Sequence, residues 1–375
     1  MADRDPLEVE VADSVASLAA ARWDSLAGTD DPFLTHAFLS LLEESGSVGG
    51  ASGWNPLPLL VNHGGRCVAA APAYLKTHSQ GEYVFDHGWA EAWARAGGAY
   101  YPKLQIAVPF TPVVGRRLLG SEPALALAAA EAVVEQNHLS SGHVTFLTPE
   151  EAELAASRGW LVRHGIQYHW RSRGYGTFAE FLAALSSRKR KAIRKEREAA
   201  REGLTFRHLR GFEIGAAEMD AMWRFYQDTG ARKWGRPYLT RAFFDLAVER
   251  LGDALLLFLA ERDGVPIAGA LNLVGKDTLY GRYWGASEEV PFLHFELCYY
   301  QSIEWAIAHG VATVQAGAQG EHKLVRGYEP VRTYSAHFIP HAGFRDAVAR
   351  FLEEETAMVS AELEALAGEL PYRKE

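Results

Sequence analysis

Cysteine is scarce in this chain. Cys67 and Cys298 are the only two in 375 residues, which excludes a disulfide framework and fits a reducing compartment. Both stand in apolar runs that read as a strand and a helix, where a buried free thiol is the plain expectation. No run approaches the roughly 18 apolar residues of a membrane span. The opening MADRDPLEVEVADS is acidic and lacks the apolar stretch of a secretory signal, so a soluble cytoplasmic protein is expected. Positive charge is short as well. Against 47 Asp and Glu stand 38 Lys and Arg, a net charge of −9, so the protein as a whole is no general polyanion binder and no DNA partner is expected. There is no His/Cys cluster at ligand spacing, so no metal site is expected. The absence of a Gly-x-Ser-x-Gly elbow excludes the serine hydrolases built on one.

What remains is a chain with the apolar content of a globular protein, long enough for two domains or one large one. Its most informative stretch is 279–330. A strand from Leu279 to Trp284 leads through a polar loop into a helix from about Phe295 to His309, closed by Gly310. A strand from Val311 to Ala316 and a glycine-rich turn then lead to Glu321, His322, Lys323 and Arg326. Two clusters of titratable groups thus fall at the ends of adjacent elements, an arrangement suited to proton transfer with stabilisation of a developing negative charge. The bland alternative is a polar surface loop.

The order of elements recurs. LLVNHGGRCVAAAPAYL (59–75) lies against LFLAERDGVPIAGALNL (257–273) without a gap. Tyr83–Trp89 then answers to Tyr280–Gly285, the helix Ala124–Asn137 to Phe295–His309, and the strand His143–Leu147 to Val311–Gln315. Two copies of one β-β-β-α-β unit follow, with a boundary in RSRGYG: one domain over 1–172 and a second over 173–375. The second opens with a helix over 186–202 carrying Arg188, Lys189, Arg190, Lys191, Arg194, Lys195, Arg197 and Arg201, with Glu196 and Glu198 opposing along its length. Such an excess favours a phosphate-binding face over a solvated helix with i,i+4 pairs. Asp228, Arg232, Lys233, Trp234 and Arg236 suit a substrate clamp. A closing amphipathic helix over 344–370 reads as packing.

PFLTHAFLSLLEESGSVG, YVFDHGWAEAW, YYPKLQIAVPFTPV, LSSRKRKAIRKE and YWGASEEVPFLHFELCYYQSIEWAIAHG followed by GAQGEHKLVRGYEP carry a resemblance over nearly the whole length. The chain resembles the FemAB-like, GNAT-fold N-acyltransferases. The resemblance implies an α/β (α+β) fold of two tandem GNAT-like domains, each a mixed β-sheet flanked by helices. It also implies transfer of an acyl or aminoacyl group from an activated donor, acyl-CoA or aminoacyl-tRNA, to an amine on a small molecule or peptide. No tightly bound cofactor is implied. By the same resemblance Lys323 lies near the transferred group, and Arg190 and Arg194 face the donor's phosphates. One departure bears on the donor. The glycine-rich loop with which ordinary GNAT acetyltransferases cradle a pyrophosphate is replaced by GASEEVPFLHFE, whose Glu288, Glu289 and Glu296 oppose an anion.

Acyl transfer to an amine needs a base, a donor held in line and a partner for the oxyanion. Glu296 or His294 is the expected base, and Lys323 the expected partner of the oxyanion or leaving group. Their plain readings are a helix cap, a carboxylate favoured by the helix dipole and a surface cation. Tyr283, Trp284, Glu321, His322 and Arg326 complete the expected substrate contacts. In the first domain Tyr83, Asp86, His87, Trp89, Lys103 and Phe110 are expected to line an acceptor groove, or else to pack as a degenerate copy. A reading from a different class is a non-catalytic module of the same fold that binds a peptidoglycan precursor or peptide.

Overall fold

The two aligned stretches each form a hairpin, β-strands 59–63 with 66–71 and 255–262 with 265–274, and each turns through two residues in the left-handed region. They are Gly64 (φ 57°) with Gly65 (φ 73°), and Asp263 (φ 50°) with Gly264 (φ 76°). Turns of this kind match the right-handed twist of the strands they join. The computed structural model describes residues 7–233, 237–317 and 320–373. These form two compact units, one from the described residues of 1–165 with 332–362, the other from 166–331 with those of 363–375. The expected single boundary near 172–173 is replaced by three crossings, at 165/166, 331/332 and 362/363.

In chain order the first stretch holds β1 (Leu7–Val11), α1 (Ala20–Ala27), α2 (His36–Glu44), β2 (Trp54–Pro56), β3 (Leu59–His63), β4 (Arg66–Ala71), β5 (Ala73–Lys76) and α3 (His87–Arg95). Next come β6 (Lys103–Ile106), β7 (Leu119–Gly120), α4 (Pro123–Gln136), β8 (Gly142–Leu147), α5 (Pro149–Ser157) and β9 (Leu161–Arg171). They are followed by α6 (Phe178–Ala184), α7 (Ser187–Arg201), β10 (Thr205–Arg210), α8 (Ala216–Lys233), α9 (Arg241–Leu251), β11 (Leu255–Arg262), β12 (Val265–Val274) and β13 (Thr278–Ala286). The chain ends with α10 (Leu293–Phe295), α11 (Gln301–Ala308), β14 (Thr313–Gln315), β15 (Glu329–Phe338) and α12 (Ala342–Ala367). Most of α12 therefore belongs with the first unit rather than the second.

In the first unit β1-β3-β4-β7 make one antiparallel sheet, and β2-β5-β6-β8 with Tyr334–Phe338 of β15 make another. The run Cys67–Leu75, expected as one strand, is divided at Pro72. With no N–H to give to a ladder, proline ends β4 in the first sheet and lets β5 begin in the second. Residues 83–89, also expected as a strand, are a bend and the first turn of α3. Their place is taken by β6, which pairs in parallel with β8 across α4. In the second unit the order is β10-β11-β12-β13-β14, then the end of β9, and only β13 and β14 are parallel. Each unit is thus a mixed sheet arrangement flanked by helices. Their cores are separate: Leu59, Ile106, Leu127 and Val144 in the first, Trp170, Phe258, Leu297 and Ile303 in the second.

The first unit also buries charge. Lys76 and Lys103 are opposite each other on β5 and β6, and both are excluded from solvent. Lys103 Nζ donates to Ser79 Oγ (2.9 Å), Glu82 Oε2 (2.9 Å) and Asp86 Oδ2 (2.5 Å). Burial alone would raise the Asp86 carboxyl, but the Lys103 ammonium holds it well below the ordinary range. Lys76 sits 3.9 Å over the Trp54 ring and is pushed down to about 7 by burial. Tyr100 donates to Asp86 Oδ2 at 2.7 Å. Nearby, His143 of β8 and His337 of β15 face each other with Nδ1 atoms 2.7 Å apart. Only one proton fits in that contact, so at most one ring donates to the other.

Burial pushes His143 down to about 3 and His337 well below its usual value. An unfolded histidine takes up its proton below about pH 6.5, so the unfolded state gains protons first. Stability is then complete above that pH and falls as the pH drops towards 3, by up to about 1.4 kcal/mol per unit for each histidine. Thermal midpoints measured from pH 7.5 to 4.5 should decline below 6.5, and His143→Gln should make the decline shallower. A flat profile would mean that the pair is not held neutral.

Candidate functional site

β13 ends at Ala286, and after a polar loop the chain runs through α10, a π-helical turn over Glu296–Tyr300 and α11. The helix expected over 295–309 is thus continuous from 293, with one wide turn. It closes as expected at Gly310 (φ 67°), where Val311 N–H reaches Ala306 C=O at 2.8 Å. Wide turns of this kind are frequent at functional sites.

The wide turn carries Glu296, which is completely buried. Its Oε2 accepts from Arg197 Nε at 3.0 Å, and its Oε1 from Arg197 Nη2 (3.0 Å), Arg201 Nε (2.8 Å) and Gln301 Nε2 (2.8 Å). Burial pushes this carboxyl up, and the Arg201 charge pulls it back. Completely buried and bound on both oxygens by guanidiniums, Glu296 is out of a substrate's reach. The expected base is a fastener, and what it fastens is α7. That helix buries Ile193, Arg197 and Ala200, spaced four and three apart, and turns its other cations outward.

Arg188, Lys191, Arg194 and Lys195 are exposed, and Lys189 and Arg190 half-buried. Among the described residues none of these six has a carboxylate within ion-pair distance. Among the described residues the side chain of Arg190 bonds only to the Ala183 carbonyl, at 3.5 Å. The two expected phosphate contacts therefore stand on a face of free cations. Arg326 does not join them. It is buried, donates to both oxygens of Glu196 (2.9 and 2.8 Å) and to Tyr300 Oη (2.9 Å), and lies 3.6 Å over the Phe295 ring. Its expected contact with substrate is replaced by this second link between α7 and the wide turn.

Beside Glu296 the same segment lines a cleft of about 560 Å³, within the size range of small-molecule sites. Trp284, Phe292, His294 and Phe295 make its aromatic wall, and Glu288 and Glu289 its polar one. Trp284 and His294 meet edge to face at 5.2 Å, and Phe292 lies 6.3 Å from Phe295. Phe292 is in the left-handed region (φ 63°), which costs a residue with a side chain about 1 kcal/mol or more, yet its ring is exposed. Glu288 pairs with Arg262 at 3.2 Å.

Lys323 lies off this cleft. It is buried, donates to the Gly317 carbonyl at 2.6 Å, and is pushed by burial down to about 8. Its neighbour His322 is exposed and meets Tyr299 Oη through Nε2 at 2.9 Å. Gly320 (φ 119°) makes that approach possible, since a Cβ there would lie 2.3 Å from the imidazole. Tyr283 packs on Tyr226 at 5.3 Å. Of the expected catalytic three, only His294 opens onto the cleft.

In the first unit Asp86, Trp89, Lys103 and Phe110 are buried while Tyr83 and His87 face solvent. The expected acceptor groove is therefore not formed by these six together. Four of them belong to the interior, and Asp86 and Lys103 to the buried charge network. The clamp expected over 228–236 is helical through Lys233, with Trp234 and Arg236 outside the described residues, as is the side chain of Glu321. Sequence reasoning missed Arg197, Glu196 and Tyr299. The signal for Arg197 was present: it falls between Ile193 and Ala200, the two apolar anchors of an otherwise charged helix.

Among the described residues no helix is long and apolar enough to cross a membrane, and no three His, Cys, Asp or Glu side chains are placed to hold a metal ion. The mixed-sheet fold agrees with the sequence comparison. The family model described as peptidoglycan biosynthesis/recognition matches residues 14–374, and the chain belongs to this FemAB-like family. Its fold is shared with FemX (TM-score 0.54, 12% identity, 92% of this chain and 100% of that one). L-PGS from Bacillus licheniformis shares it as well (TM-score 0.52, 12% identity, 86% and 98%). So does the C-terminal domain of a putative lysylphosphatidylglycerol synthetase from Agrobacterium fabrum (TM-score 0.51, 12% identity, 89% and 95%). No curated protein matches the chain by sequence.

Removing the Glu296 charge leaves Arg197 buried without its main partner. Breaking a buried pair in this way costs about 3–5 kcal/mol. Glu296→Gln should lower the unfolding free energy obtained from urea titration by that amount, whereas Glu304→Gln, at a half-exposed partner of the same arginines, should cost less than about 1 kcal/mol. Equal losses would show that Glu296 is not the fastener.

Proposed function

We propose that the protein is an acyl- or aminoacyltransferase that moves an activated acyl group onto an amine. The donor's phosphates lie along α7, and the reacting groups meet beside the cleft. The observation that carries this reading is the pairing of Glu296 with Arg197 and Arg201, which joins a helix with six unpaired cations to the wall of an aromatic cleft. From Arg188 to Lys195 these cations cover about 10 Å of helix. That is longer than one pyrophosphate requires, while Glu288 and Glu289 oppose a pyrophosphate in the cleft itself. The favoured donor is therefore aminoacyl-tRNA, with acyl-CoA as the other arm of the test. The amine's nitrogen attacks the acyl carbonyl and His294 accepts the amine proton. The bond to the donor's oxygen (or sulfur) breaks, and the proton held by His294 passes to the leaving group. The acceptor belongs to the chemistry of cell-wall precursors, in keeping with the family's description.

A second reading has its own observation. Glu296 and Lys323 are both buried, held by Arg197 and Arg201 and by the Gly317 carbonyl, and neither lines the cleft, as in a module that binds peptidoglycan precursor or peptide without chemistry.

Filter binding of aminoacylated tRNA between 50 and 200 mM salt should show a steep salt dependence. Arg190→Glu with Arg194→Glu should weaken binding at least tenfold and flatten the log–log slope by about two. In parallel, acetyl- or longer acyl-CoA at about 100 times its dissociation constant would stabilise a binder by about 2.7 kcal/mol. A midpoint shift with CoA species and none with tRNA would transfer the reading to acyl-CoA. Binding of neither would remove it. Once transfer is measured, His294→Ala should cost at least about 10²-fold in rate, and an unchanged rate would take His294 out of the chemistry.

A further inference from the structure

The cleft beside Glu296 differs chemically from the helix it is fastened to. One side presents cations without partners, and the other presents aromatic faces and carboxylates. Trp284, Phe292, His294 and Phe295 line a space of about 560 Å³ that also contains Glu288 and Glu289. Glu288 is tied to Arg262. Glu289 is exposed and, among the described residues, has no ion-pair partner. An aromatic face attracts a cation through its quadrupole, and a carboxylate at the rim adds to that attraction. The same carboxylates repel phosphate and free carboxylates.

The backbone agrees with a functional wall. Phe292 adopts a left-handed conformation that phenylalanine avoids, and its ring is left 42% exposed, so core packing does not account for the strain. Strain of this kind persists where a side chain must be presented in one direction. Here the direction is the cleft that Phe292 lines.

We propose that this cleft is a subsite for an aliphatic ammonium group, with Glu289 and the faces of Trp284 and Phe292 as its specificity-determining contacts. This rests on the transfer reading and deepens it. The acceptor amine arrives protonated, on a carrier that is neutral or cationic around the amine; it loses that first proton to solvent at the open cleft, and the second passes through His294 to the leaving group. Phosphates belong to α7 alone, so a donor and an acceptor of opposite local charge are sorted before they react.

The test uses the full chain without any donor. Titration calorimetry compares n-hexylamine, cadaverine and tetramethylammonium with n-hexanol, and with inorganic pyrophosphate. The amines should bind and hexanol should bind more weakly. Trp284→Leu should weaken amine binding by roughly two- to thirtyfold, and Glu289→Gln by up to about fivefold, with no effect of Glu289→Gln on hexanol. Phe292→Gly tests the wall at a position where glycine relieves the strain, so a folded variant is expected, with weaker amine binding. Amines and hexanol binding alike, Glu289→Gln changing both equally, or pyrophosphate entering the cleft in competition with amine would each overturn the proposal. Failure of the transfer reading looks different: amines bind as described and no acyl transfer occurs with any donor. Transfer with an acceptor KM unmoved by Glu289→Gln would leave the reaction standing and remove the subsite.

Discussion

The second unit depends on one buried carboxylate. Glu296 accepts four hydrogen bonds from Arg197, Arg201 and Gln301 at the point where the helix after β13 widens into a π turn. A carboxylate removed from water must be repaid in kind, and two guanidiniums on one helix do so with bidentate geometry. The consequence is positional. α7 carries mostly charged residues and only two buried apolar ones, Ile193 and Ala200, so hydrophobic burial alone would hold it loosely. Arg197 to Glu296 and Glu196 to Arg326 give it two polar attachments. Its remaining cations are therefore outward because its inward ones are used.

The two units handle buried charge in comparable ways to different ends. In the first, Lys76, Lys103, Glu82 and Asp86 sit together in the interior, with Tyr100 and the His143–His337 contact close by. These groups are buried and pair with one another, although Asp86 Oδ1 and His337 Nε2 are left without a hydrogen-bond partner. In the second unit the buried pairs lie one residue away from an open aromatic cleft. The parallel pair of strands joined across a helix is common to both, β6 with β8 and β13 with β14. The chemistry, in contrast, is concentrated at the second pair, where the polar loop 287–292 follows the strand.

Much of the architecture was legible in the sequence. The two-residue turns at Gly64–Gly65 and Asp263–Gly264, the helices α4, α5, α7 and α11, and the strands β8 and β13 follow from period, turn residues and caps. Thr35 caps α2, accepting from the Phe38 N–H at 3.3 Å, as a threonine just before an apolar run does. The strand expected over 83–89 was misread because its aromatic residues have strand propensity, whereas Asp86 and Trp89 are drawn inward by Lys103 and by packing. β10, α9 and β15 had no clear pattern. In β15 the exposures do not alternate, so period two had nothing to show.

For the site, the sequence by itself determined which residues are near one another along the chain: the acidic, aromatic loop after Trp284, the cationic helix over 187–201, and the His322–Lys323 pair after β14. It also determined that a phosphate-cradling glycine loop is absent. Only the tertiary structure decided which of those charges are available. Glu296 and Arg326 were taken up by partners about 100 and 130 residues distant, and Lys323 by the Gly317 carbonyl. Arg190, Arg194, His294 and Glu289 stayed in reach of solvent. The reason is physical. A charged side chain in a sequence reads the same whether it meets water or an opposite charge, and desolvation makes that choice only when distant segments are brought together.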